Sequence, residues 1–213
     1  PQIGGFGGGS LTLIIGAVKT GKSTLLSNLF LNDNFYGQDT FDYVKIMSNT
    51  ISNDITSRFM KEAYDVSDEY DDSIIRGILE NQKKYEKSEQ PKIAILAISS
   101  QNYRQISPIA RQNCQNLIIT SPFPNYKEMR KISEEFGDVV GGDKAFLSIY
   151  KYATPNRYDF LHMDLQSNPV KCYRNFDTLI AEGQTLYFNP AEVDLSEYSG
   201  KNQVIGEAPK EDI

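Results

Sequence analysis

Histidine is almost absent from this chain. The sole example is His162. A zinc site built from His and Cys therefore lacks ligands. A Ser-His-Asp triad would have to use His162, which lies in an alternating, strand-like stretch, so that chemistry is set aside. Cysteine is scarce too. Cys114 and Cys172 are far apart and form no Cys-x-x-Cys, so two reduced thiols in a cytosolic protein are expected rather than a disulfide framework. No apolar run approaches the ~20 residues of a membrane span. Positive charge is not in excess: Lys and Arg number 22 against 28 Asp and Glu, for a net charge of −6. That balance argues against a surface that coats nucleic acid all over, while leaving room for a local basic strip.

What is present suffices for one sizeable domain. A chain of 213 residues needs no metal or disulfide staple, because a domain of this size buries roughly 70% of its unfolded surface. Hydrophobic residues at 39% and charged residues at 23% are ordinary for a globular chain. The sequence begins at Pro1 rather than Met, and residues are expected to precede it.

Residues 1–10 (PQIGGFGGGS) read as a Gly-rich lead-in without regular structure. Leu11–Ile15 is an apolar run of buried-strand type, and Thr24–Phe30 carries apolar residues at helical spacing. Residues 41–48, 92–100 and 116–120 are further strand candidates. Residues 54–64, 73–88 and 126–136 read as helices, with the acidic stretch 65–72 as a loop. Asn125 to Glu128 resembles a capping box, and Asp143 a cap for one more helix. Residues 158–164 and 170–177 alternate around QSNP and predict a β-hairpin. From about 183 the pattern weakens into an extended tail, 183–213. The expected architecture is α/β, a largely parallel sheet flanked by helices with a C-terminal hairpin, the core spanning 11–182.

One motif carries chemistry. Gly16-Ala17-Val18-Lys19-Thr20-Gly21-Lys22-Ser23 fits G-x-x-x-x-G-K-[ST], with an apolar strand before it and an amphipathic helix after it. Successive backbone N–H groups must wrap a phosphate, and side chains there would block the approach, hence glycine. The helix that starts here adds its free N–H groups and positive dipole end. The binding set expected is Gly16 to Ser23 together with Thr24. Lys22 supplies charge to the β- and γ-phosphates of ATP, and the Ser23 hydroxyl is a ligand for Mg²⁺. Lys19 is unusual, since that loop position is often small. A water-activating carboxylate should sit at the end of a neighbouring apolar strand. The obvious strand, Lys92–Leu96, continues as Ala97–Ile98–Ser99–Ser100–Gln101, with no Asp or Glu.

The residues GAVKTGKSTLL, FDYVKIMSNTISND, AISSQNYRQISPIARQNCQNLII, KAFLSIYKYATPNRYDFLHMD and VKCYRNFDTLI resemble the genome-packaging ATPases of large DNA viruses and virophages. These are the poxvirus-type members of the FtsK–HerA superfamily. The resemblance runs from about Leu11 to Ile180. Its more family-like parts are Ser100–Arg104, Arg111-x-Asn113 and Arg174-Asn175-Phe176. It implies a RecA-like P-loop core, with Gln101 as a polar sensor for the γ-phosphate or attacking water. It also implies an arginine finger reaching a neighbouring subunit, for which Arg104 and Arg111 are the candidates. The partners implied are double-stranded viral DNA, a capsid or portal vertex and further copies of the chain in a ring. The place of action implied is the host cytoplasm, in a viral factory, or the virion.

In that family an apolar strand ends in an acidic pair, and a helix and a second strand ending in Ser-Gln follow. Here IAIL and AISSQ run together. A segment of about 30 residues, the size of a βαβ unit, is therefore expected to be absent between Leu96 and Ala97. The rival is a continuous strand 92–100 in a poor ATPase. Ser48 and Asn49 end the second strand facing the cleft. Lys83, Lys84 and Lys87 are candidates for a DNA grip, which needs only a few cations per subunit. The alternatives to a DNA-translocating ATPase are a small P-loop kinase and a catalytically weak nucleotide-binding scaffold.

Overall fold

The computed structural model describes residues 10–32, 35, 40–48, 58–99, 103–123 and 126–198. Strand β1 (Ser10–Ile15) leads through the Gly16–Gly21 loop into helix α1 (Lys22–Leu31). Then come β2 (Tyr43–Ser48), α2 (Arg58–Ala63), β3 (Asp65–Ser67), α3 (Asp72–Gln82) and β4 (Ile93–Ser99). Helix α4 (Pro108–Gln112), β5 (Asn116–Thr120), α5 (Tyr126–Phe136) and α6 (Asp143–Ala153) follow. The described chain closes with β6 (Phe160–Asp164), β7 (Lys171–Arg174), β8 (Thr178–Glu182) and β9 (Thr185–Leu186).

Among the described residues these strands form one sheet in the order β3-β2-β4-β1-β5-β6-β7-β8-β9. The pairings from β3 to β5 are parallel, and those from β5 to β9 are antiparallel. The expectation of a largely parallel sheet therefore holds for only half of it. The reason is connection length. Parallel neighbours need a crossover, which the helices supply, whereas the strands after α6 follow one another through short turns. The expected hairpin is β6–β7, with His162 opposite Tyr173 and Met163 opposite Cys172. It is two strands of a four-stranded meander.

The inner parallel strands β1, β4 and β5 are mostly apolar because both faces are covered. Leu11, Leu13 and Ile15 pack toward α3 to α6 with Ile75, Met129, Ile132, Phe146 and Ile149. Ile14 faces the other way, onto Leu25, Leu26, Leu29 and Phe30 of α1. Each such side chain contributes about 1.5–3 kcal/mol when fully buried. Cys114 and Cys172 are free thiols, and burial pushes both up to about 12.

Several expectations are corrected. β4 runs without interruption through Leu96 and Ala97. Its register is unbroken against β1, from Ser10↔Ala94 to Ile15↔Ser99, and against β2, from Tyr43↔Ile93 to Ser48↔Ile98. In this fold 93–99 is one strand, the arrangement of the rival expectation. The acidic stretch 65–72 is not all loop: Asp65–Ser67 adds the edge strand β3 beside β2. Helix α3 stops at Gln82, so Lys84 and Lys87 lie beyond it. Gly142, not Asp143, caps α6, and Asp143 instead places its charge in the first turn. Ser10 belongs to β1 rather than to the lead-in. Residues 183–198 are not an extended tail. β9 pairs with β8, Phe188 stacks on Tyr152 at 4.1 Å between centroids, and Lys151 pairs with Glu197 at 2.5 Å. Residues 1–9, Asn125 with its capping box, and 199–213 lie outside the described residues. No helix among the described residues is long and apolar enough to cross a membrane.

Candidate functional site

The loop between β1 and α1 opens at the carboxyl edge of the parallel half, the edge where open α/β sheets bind ligands. Lys19 has φ 64° and Gly21 has φ 86°, so the chain turns through left-handed backbone twice before the helix begins. Gly16 is required by a close approach: a Cβ there would fall 1.7 Å from Thr120 Oγ1. The loop is tied to β5 at that point. Thr20 Oγ1 lies 2.6 Å from Thr120 Oγ1 and donates to the Ala17 carbonyl at 2.8 Å.

Lys22 is buried, and its ammonium donates to the carbonyl oxygens of Gly16 (2.8 Å) and Ala17 (2.5 Å). The charge is thus held inside the loop's curl, where a phosphate would find it next to the amino end of a ten-residue helix. Val18, Lys19 and Thr24 are exposed at the rim, and Ser23 is half-buried in the first turn. The cradle fits a polyphosphate: a cation, a helix N-terminus and glycines where side chains would intrude. For Mg²⁺ the loop offers the Ser23 hydroxyl. No trio of His, Cys, Asp or Glu side chains able to hold a metal occurs among the described residues.

The neighbouring strand ends supply little acid. β4 closes on Ala97, Ile98 and Ser99, and the Ile98 carbonyl accepts from the Tyr70 hydroxyl. At the end of β2, Ser48 is buried. Asn49, Ser100 and the sensor candidate Gln101 lie outside the described residues.

The two finger candidates differ in setting. Arg111 donates to Glu135 at 2.8 Å and lies over the Tyr103 ring at 5.0 Å, while the Tyr103 hydroxyl donates to the same carboxylate at 2.6 Å. Burial and the adjacent Glu135 together push the Tyr103 hydroxyl well above its usual range. Arg111 therefore braces α4 against α5 within its own chain. Arg104 is exposed in the turn that follows β4.

A second loop, between α6 and β6, borders the first. It carries Asp159, whose carboxylate accepts from the Asn156 amide N–H (3.1 Å), Asn175 Nδ2 (3.4 Å) and Arg174 Nη2 (3.1 Å). Burial alone would raise this carboxyl, but those donors hold it below the ordinary range. The preceding Tyr158 has φ 75° and stands more than half exposed beside Gly21. Sequence reasoning passed over both Thr120 and Tyr158. Neither belongs to a motif, and only the pairing of β5 with β1 and β6 brings them to the Gly16–Gly21 loop.

No protein-family model matches the chain, and no curated protein does. Among solved structures, it is similar to the genome packaging NTPase B204 from Sulfolobus turreted icosahedral virus 2 in complex with sulfate. The identity is 15% and the TM-score 0.48, with 79% of this chain and 98% of that one covered. The same NTPase in complex with ATP-gammaS gives 17% identity and a TM-score of 0.46, over 81% and 100%. B204, the DNA-packaging ATPase from Sulfolobus turreted icosahedral virus, gives 16% and 0.47, over 78% and 97%.

Proposed function

We propose that this chain binds ATP at the loop Gly16–Thr24 and hydrolyses it as one subunit of a ring that drives double-stranded viral DNA into a capsid. The observation that carries the reading is the phosphate loop itself: buried Lys22 inside a left-handed, glycine-lined curl at the start of α1. Lys22 moves from the loop carbonyls to the β- and γ-phosphates when they enter. Ser23 is the residue that would hold Mg²⁺, whose charge would offset that of the phosphates. Gln101 is the sensor of the γ-phosphate. Arg104 and Arg111 are the candidates for the finger, and Arg111 pairs with Glu135 of its own chain. The DNA, capsid and ring parts of the reading rest on the resemblance carried by Ser100–Arg104, Arg111-x-Asn113 and Arg174–Phe176. So does the place of action, the host cytoplasm or the virion.

A specific observation favours a second reading. β4 ends without a carboxylate, so among the described residues that strand end offers no base to the attacking water. On this reading the chain is a nucleotide-binding scaffold. Phosphate release from ATP, measured with and without double-stranded DNA, separates the two. The motor predicts turnover that DNA stimulates and Lys22→Ala abolishes. ATP binding without turnover establishes the scaffold, and phosphoryl transfer to a small acceptor, indifferent to DNA, establishes a kinase.

A further inference from the structure

We infer that Tyr158 is a stacking platform for the base of the bound nucleotide, a role that rests on the phosphate-loop reading above. The side chain is 56% exposed, a large aromatic surface at the rim of the loop. A Cβ on Gly21 would lie 3.2 Å from Tyr158 Cδ1, so the ring borders the residue that opens α1. A nucleotide anchored by its phosphates at that helix end must lay its ribose and base on the rim.

The ring is built to be presented. Tyr158 has φ 75°, a backbone conformation that bulky residues adopt only where their surroundings impose it, and such strain gathers at ligand clamps. The imposing contacts are visible. Asp159 N–H donates to the Asn156 carbonyl at 3.2 Å, and the Asp159 carboxylate accepts from the Asn156 amide and from Arg174. The Ser121 amide, just past β5, donates to the Asp159 carbonyl at 3.0 Å. The turn 156–159 is therefore pinned from two strands, with Tyr158 projecting from it. The Arg157 guanidinium covers the ring at 4.9 Å from its centroid. A cation against an aromatic face makes a stack that a purine extends, because every base presents a π-face.

The experiment compares ATP with inorganic tripolyphosphate, which has the phosphates and lacks the base. In Tyr158→Gly, ATP affinity should fall about ten-fold, the loss of one base–aromatic stack, while tripolyphosphate affinity is unchanged. Glycine accepts φ 75° without strain, so the melting temperature of this variant should hold or rise. The chain has no tryptophan. Tyr158→Trp should keep ATP affinity and give a fluorescence change with ATP that tripolyphosphate does not give. Equal ATP affinity in wild type and Tyr158→Gly overturns the inference, as does equal loss of both ligands. If the wild type binds tripolyphosphate as tightly as ATP, the platform is wrong and the phosphate loop stands. If it binds neither, both fall.

Discussion

At the scale of single residues, small contacts decide whether the Gly16–Gly21 loop can form. Gly16→Ala sets a methyl group 1.7 Å from Thr120 Oγ1, and the threonine or the loop must shift. Overpacking of this kind costs about 1–3 kcal/mol, which urea denaturation should show as a lower midpoint. In a Thr120→Ala background the same change should cost less, because the two sites share one contact. His162 gives a test in pH. Burial holds its imidazole down at about 4, with Asp164 opposing the effect, and its Nδ1 has no hydrogen-bond partner among the described residues. The unfolded chain titrates near 6.5. Between those values the unfolded state takes up a proton that the folded state refuses. Stability is therefore full above pH 6.5 and falls as the pH drops toward 4, by about 3 kcal/mol in all. His162→Gln should flatten that slope in denaturation curves taken from pH 7 to pH 5.

At the scale of elements, the segment after β8 acts as a clasp on α5 and α6. Its anchors are apolar: Phe188 stacked on Tyr152, and Tyr198 against Tyr126 at 6.0 Å. Phe188→Ala should cost about 1–3 kcal/mol in urea denaturation, since it strips an aromatic stack from a half-covered face. Glu197→Ala should cost under about 1 kcal/mol although Lys151 is only 2.5 Å away, because both side chains of that pair are substantially exposed. The contrast between the two variants is the check. Helix α1 was legible from its sequence, with Leu25, Leu26, Leu29 and Phe30 at i, i+1, i+4 and i+5, and those are the apolar residues it buries. Strand β3 was not: three residues inside an acidic run carry no period, and they become a strand only because Lys45–Met47 of β2 offers a free edge. Lys45 adds an ion pair to Asp65 at 2.8 Å.

At the scale of the molecule, the proposed ATP site would link ligand binding to folding through the loop. ATP at a hundred times its dissociation constant should stabilise the fold by about 2.7 kcal/mol, seen as a higher melting temperature. Lys22→Ala should remove that shift together with turnover. The sequence by itself determined the G-x-x-x-x-G-K-S motif, the strand before it, the helix after it and the lack of a carboxylate from Ala97 to Gln101. Those features are local: spacing, period and residue type suffice to specify them. Only the tertiary structure decided that the sheet changes from parallel to antiparallel at β5. It also decided that Thr120 locks the loop, that Arg111 is engaged by Glu135, and that Tyr158 stands over Gly21. Each of these joins residues distant along the chain, and no local pattern encodes which strand lies beside which.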